Sequence, residues 1–147
     1  MKSYKNLYPH ICDFDNLLQA YYRARQGKKQ TSEMYAFHFN LEENLWDLHH
    51  DLLTGSYQPG AYRNFYIHDP KRRKISAAPF RDRLVHHALC AVIEPLFERK
   101  FIDDSYANRK GKGTHKALDR AHRWVRRYPY ALKADILKFF PSVDHQI

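Results

Sequence analysis

The residues with the clearest capacity for chemistry lie in Lys133-Ala134-Asp135-Ile136-Leu137-Lys138-Phe139-Phe140, where an apolar run carries one carboxylate followed by two aromatic rings. Carboxylate oxygens are hard ligands for divalent cations, and one held at a strand end in a basic chain suits metal-assisted phosphoryl chemistry. Two-metal transfer needs further carboxylates, and the residues after Asp135 offer no good candidate. By itself an Asp after an apolar run is more often a helix cap or turn residue, so the reading depends on its company.

Two cationic groups supply that company. Lys71-Arg72-Arg73-Lys74 sits between runs of aromatic and β-branched residues. Arg109-Lys110-Gly111-Lys112-Gly113 interleaves two glycines with three cations, letting backbone approach an anion closely. Arg73 can grip a phosphate through two parallel hydrogen bonds, whereas Lys71 acts as a point charge. The bland reading of both groups is a solvated face. Adjacent His86 and His87 would point about 100° apart on a helix, and no third ligand has metal-site spacing. Phosphate-binding P-loops, nucleophile elbows and Ser/His/Asp orderings are absent.

The elements that must position these groups follow from periodicity. A helix is predicted over 13–26, capped by Asp13 or Asp15, with Leu17, Leu18, Tyr21 and Tyr22 on one face and Gly27 beyond its end. A second starts at Asn40, with Glu43 placed for a capping box, and runs through Leu41, Leu45, Leu48 and Leu52 to Gly55. Tyr62, Phe65, Tyr66 and Ile67, a polar turn over 68–72, and Ile75 before Pro79 predict a two-stranded hairpin with a basic tip. Asp82 can start the next helix, with Leu84, Val85, Ala88, Leu89, Val92, Ile93 and Leu96 as its apolar stripe. Pro95 should end or bend it, since it cannot donate the backbone bond. Residues 102–113 read as a loop, Thr114 to about Arg127 as a helix, and Tyr130 to Ala134 as a strand presenting Asp135. The expected fold is α+β: helices around a small antiparallel hairpin, plus one strand whose unpaired edges would invite association.

A chain of 147 residues has room for one domain with a real core. Its 25 Lys and Arg face 16 Asp and Glu, and the excess is concentrated: residues 63–133 hold 18 basic and 7 acidic side chains, residues 1–60 only 6 and 7. Such asymmetry is expected of a polyanion-binding surface. Cys12 and Cys90 are too few for a disulfide framework and lack C-x-x-C spacing, so they read as reduced thiols. The N-terminus lacks a secretory apolar segment, and no run of about 18 apolar residues exists, so a cytoplasmic protein without membrane partners is expected.

Four blocks, in order, resemble the reverse transcriptase (RNA-directed DNA polymerase) family, in particular its bacterial branch of group II intron and diversity-generating retroelement enzymes. Lys71 to Leu89 resembles the fingers hairpin and following helix, Ile93 to Glu98 that helix's end, Ser105 to His115 the next block, and Ala131 to His145 the first palm motif. The form Ser76-Ala77-Ala78-Pro79-Phe80-Arg81-Asp82-Arg83 leans toward the diversity-generating branch. The resemblance covers about residues 60 to 147 and implies a helical extension over 1–56, then fingers and the start of a palm over 57–147. It also implies that Asp135, with the Ile136 carbonyl, holds magnesium as the first catalytic aspartate. Phe140 would be the steric gate under the incoming sugar, with Lys138 and Phe139 along the triphosphate path. Lys71 and Arg73 would hold the β- and γ-phosphates, while Arg72, Lys74, Arg109, Lys110 and Lys112 face nucleic acid. The implied partners are an RNA template, a DNA primer, deoxynucleoside triphosphates and a retroelement accessory protein.

The family's second palm motif, an aromatic, any residue and two aspartates, is matched in letters by Phe101-Ile102-Asp103-Asp104. Those residues precede Asp135, however, and read as loop and capping residues. The true pair and the thumb are missing, so the chain resembles an N-terminal part, expected to bind RNA without polymerising. The alternative is a non-catalytic basic RNA-binding module in which Asp135 has no metal role.

Overall fold

A computed structural model describes residues 3–29, 31–144 and 146, and the chain forms two compact units, Met1–Lys100 and Phe101–Ile147. In the first unit, helices α1 (Leu7–Cys12), α2 (Phe14–Arg25), α3 (Ser32–Phe39), α4 (Leu41–Thr54) and α5 (Phe80–Glu98) share one core, from which strands β1 (Arg63–His68) and β2 (Arg72–Ala77) project. The second unit holds α6 (Thr114–Val125) and the single turn α7 (Phe139–Ser142).

Local chemistry sets the helix boundaries. The Asp13 carboxylate accepts from the Asn16 amide at 3.1 Å and caps α2, while Arg23 and Arg25 occupy its last turn, where cations complement the helix dipole. Leu17, Ala20, Tyr21 and Ala24 recur at helical spacing and are buried. Leu45, Leu48 and Leu52 do the same in α4, although Asn40 makes no side-chain cap and the expected capping box does not form.

Two helices were not legible. α1 lacks an acidic first turn and a side-chain cap, and Thr31, whose hydroxyl caps α3 at 3.4 Å from the Met34 amide, follows a stretch that reads as a stop signal. Both are held by packing: Ile11, Cys12, Met34 and Phe37 are buried in the core. Asn16 joins α1 to α5, its Nδ2 donating to the carbonyls of His10, Ile11 and Ala88 at 3.1, 3.2 and 3.1 Å.

α5 begins at Phe80 after Pro79, so Asp82 is inside the helix and buried instead of capping it. Nor does Pro95 end the helix, which continues to Glu98. Pro95 is exposed, and a carbonyl freed on a solvent-facing side can be hydrated. Cys12 and Cys90 are both free thiols, and no described helix is long and apolar enough to cross a membrane.

Mixed helices with a two-stranded antiparallel hairpin agree with an α+β fold. The expected strand before Asp135 does not form: residues 130–136 have no regular structure, with Tyr130 91% and Leu132 95% exposed. An apolar run becomes a strand only against a ladder partner, and the only sheet among the described residues is β1-β2.

Candidate functional site

The hairpin distributes its cations by pleat. β1 and β2 pair antiparallel from Arg63↔Ala77 to His68↔Arg72, so Phe65, Ile67, Ile75 and Arg73 share one face and Tyr66, His68, Arg72 and Lys74 the other. The residues expected to bind the triphosphate and those expected to face nucleic acid are thus on opposite faces, with Lys71 in the turn. Arg72 stacks on Tyr66, its guanidinium carbon 4.2 Å from the ring centroid. Lys71, Arg73 and Lys74 are exposed and have no ion-pair partner among the described residues.

The hairpin's root is tied down. The buried Asp82 carboxylate accepts from the Tyr57 hydroxyl at 2.7 Å and the Gly60 amide at 2.8 Å. Burial first, then the Asp82 hydrogen bond, pushes the Tyr57 phenol far above its ordinary value. Gly60 must be glycine, since a Cβ there would meet Pro79 at 2.9 Å. Next door, Arg81 pairs with Asp51 at 2.5 Å and stacks over Tyr57. Sequence reading missed this staple, whose one signal is an acidic residue inside an apolar helical stripe.

In the second unit, the glycine-rich loop folds on its own cations. Arg109 donates to the Ile102 and Ser105 carbonyls at 2.8 and 3.0 Å and lies over Phe101. Lys112 donates to the Asp103 carbonyl at 2.6 Å and pairs with its carboxylate at 2.7 Å. Asp104 takes two bonds from Arg120 of α6, at 2.8 and 3.2 Å. Asp103 and Asp104 are therefore loop residues as expected, but they clasp cations instead of capping a helix. Hydrogen bonds from Lys112 and Arg120 hold their carboxyls below the usual range. Lys110 adds a third loop cation with no ion-pair partner among the described residues.

Asp135 stands apart from this clasp. Its carboxylate is exposed and, among the described residues, accepts only the Ile136 amide, at 3.0 Å. Lys138 has a left-handed backbone, φ 50°, and opens α7, where Phe139 and Phe140 meet edge to face at 5.4 Å. Phe140 is 83% exposed, so it fills no core here. No group of three or more His, Cys, Asp or Glu that could hold a metal occurs among the described residues. A carboxylate with no second acidic side chain grouped with it is too little for a two-metal site. His145, the last residue of the first palm block, lies outside the described residues.

No family profile matches the chain. It is 31% identical over 110 residues to nuclear intron maturase 2, mitochondrial, of Arabidopsis thaliana, covering 64% of this chain. It is 29% identical over 120 residues to protein YkfC of Escherichia coli, covering 73%. It is 28% identical over 107 residues to group II intron-encoded protein LtrA of Lactococcus lactis, covering 71%. The chain spans only 15%, 30% and 18% of these relatives' own lengths. Two of the three carry an intron function in their names, as a maturase and as a group II intron-encoded protein.

Proposed function

We propose that the chain belongs to the reverse transcriptase family, on its group II intron branch, and forms the fingers and first palm segment of an RNA-directed DNA polymerase. What supports this is the ordered set of basic hairpin, cation-glycine loop and Asp135 in a chain whose relatives include a group II intron-encoded protein and a nuclear intron maturase. Phosphoryl transfer is mostly positioning plus charge stabilisation, so cations on the leaving phosphates and a carboxylate for the metal are the parts such a segment contributes. Lys71 and Arg73 receive the triphosphate, and Arg72 and Lys74, on the opposite pleat, receive the RNA template and DNA primer strands. Phe140 limits the sugar edge of a deoxynucleoside triphosphate. Magnesium, when bound, neutralises phosphate charge. Asp135 and the Ile136 carbonyl are its ligands in this segment, and the others come from outside these residues.

The test is Asp135→Ala in the polymerase containing this segment: templated extension should disappear while RNA affinity stays within about twofold. Retained polymerisation would remove Asp135 from the metal site. A second reading, a cytoplasmic RNA-binding module without catalysis, is favoured by the isolation of Asp135 from other carboxylates. It requires RNA binding to survive and no polymerase to contain the segment.

A further inference from the structure

Beyond the polymerase reading, we propose that an acidic aromatic face on α2 and α4 receives the basic hairpin of a second copy of this chain. The face is built around two rings: Phe14 and Trp46 lie with centroids 4.5 Å apart, and His49 stands edge-on to both. His49 is fixed there by its Nδ1, which donates to the Cys12 carbonyl at 2.7 Å. Trp46 is nevertheless 51% exposed, and Leu53, two helical turns further along the same flank of α4, is 57% exposed. That flank turns away from the buried Leu45, Leu48 and Leu52. Asp15 follows Phe14, and Glu42 and Glu43 lie one turn before Trp46. All three are exposed and have no ion-pair partner among the described residues.

Charge selects the occupant. Residues 31–62 hold five acidic side chains and no Lys or Arg, in a chain with 25 Lys and Arg. Two of the five, Glu33 and Asp51, are engaged by Arg83 and Arg81 of α5, which leaves Glu42, Glu43 and Asp47. Asp15, Glu42 and Glu43 stand in first helical turns, where they also suit the helix dipoles. The dipoles do not account for an open indole, and exposed aromatic surface rimmed by one sign of charge has the composition of a docking site. Nucleic acid is repelled there, whereas a basic segment with aromatic side chains fits. The hairpin is such a segment: residues 63–77 carry five cations against Asp69, and Phe65, Tyr66 and Ile67 are exposed. A two-stranded sheet by itself is marginal in water and gains from packing against a helix, and here every residue of β1 is exposed. Arginine over an indole, with carboxylates at the ring's edge, joins the side chains that dominate interface energetics. The ion pairs are screened by salt, so the association is too. A hairpin seated on a second copy is closed to RNA.

Sedimentation of the 147-residue chain, with no RNA or nucleotide present, tests the pairing and fails separately from the polymerase reading. At low salt the weight-average mass should rise with concentration above the 17.6 kDa of one chain, and at high salt it should return to that value. Glu42→Lys with Glu43→Lys, and Lys71→Glu with Arg73→Glu, should each weaken association by about tenfold or more, although the first pair raises the net charge and the second lowers it. One chain carrying both pairs has the unaltered net charge and should associate again. Glu94→Lys, at an exposed residue of α5 outside the face, should change nothing. In a Trp124→Phe chain, where Trp46 is the single tryptophan, acrylamide quenching should fall about twofold on association. A monomer at every concentration in low salt, association untouched by reversal of the face, or an unshielded Trp46 overturns the proposal. So does association lost on reversing the face but kept on reversing the hairpin, which would put another part of the second copy there. Shielding of Trp46 by a synthetic arginine-rich peptide, in a chain that stays monomeric, would give the face to a different basic protein and likewise overturn the second copy.

Discussion

Asp82 ties the hairpin's root to α5, because one buried carboxylate serves both the Tyr57 hydroxyl and the Gly60 amide. Hydrogen bonds to a charged group contribute about 1.5–3 kcal/mol each, and their loss strands two donors. Asp82→Ala should therefore lower unfolding free energy by about 3 kcal/mol in urea titration. A loss below about 0.5 kcal/mol would show that the root is held by packing alone. Phe140 makes the opposite case. Since its ring is exposed, Phe140→Ala should change stability by no more than about 0.5 kcal/mol. Under the proposed polymerase reading it should raise ribonucleotide over deoxyribonucleotide incorporation by about 1–3 kcal/mol of lost discrimination, the scale of one pocket contact. Measuring melting temperature and the incorporation ratio together separates a gate from a packing residue, and an unaltered ratio would remove the gate.

Among the elements, the loop clasp responds to pH in a direction fixed by its charges. Asp103 and Asp104 are held below the ordinary carboxylate value of 3.8 by Lys112 and Arg120. A group depressed in the folded state binds its proton more readily when unfolded, so it stabilises above about 3.8 and stops doing so as pH falls through the folded value. The opening free energy read from amide exchange in α6 should be insensitive to pH from 7 to 5 and fall below about 3.8. Asp104→Asn should abolish most of that acid response; an unchanged response would show that the clasp does not hold the helix. The clasp also shows where sequence reading stopped. Periodicity and turn chemistry were enough for α2, α4, the hairpin and α6, because each carries its own apolar stripe or cross-strand pairing. α1 and α3 depend on contacts distant in sequence, and Asp82 takes its partners, Tyr57 and Gly60, from residues that only folding brings near. The strand before Asp135 was misread because an apolar run specifies what it could pair with, not whether a partner is present.

For the molecule as a whole, binding and catalysis should separate. The hairpin offers Lys71, Arg73 and Lys74 without carboxylate partners among the described residues, whereas Arg109 and Lys112 already satisfy acceptors in their own loop. With no triphosphate present, Lys71 and Arg73 are open to RNA phosphates as well as Lys74, and three such contacts on single-stranded RNA release counterions with a slope of about −0.7 each, so log affinity against log salt should fall with a slope near −2. Charge reversal at Lys71 and Arg73 should remove most of that slope without changing the melting temperature. A flat salt dependence, or affinity unchanged by both reversals, would leave the hairpin a solvated face. The same 147-residue chain, given magnesium, a primed RNA template and deoxynucleoside triphosphates, should extend no primer, since Asp135 alone cannot hold two metals. Both results are needed together. Binding without extension fits a segment whose cations work independently and whose single carboxylate does not, whereas templated extension by this chain would mean that a metal site assembles from carboxylates the structure keeps apart.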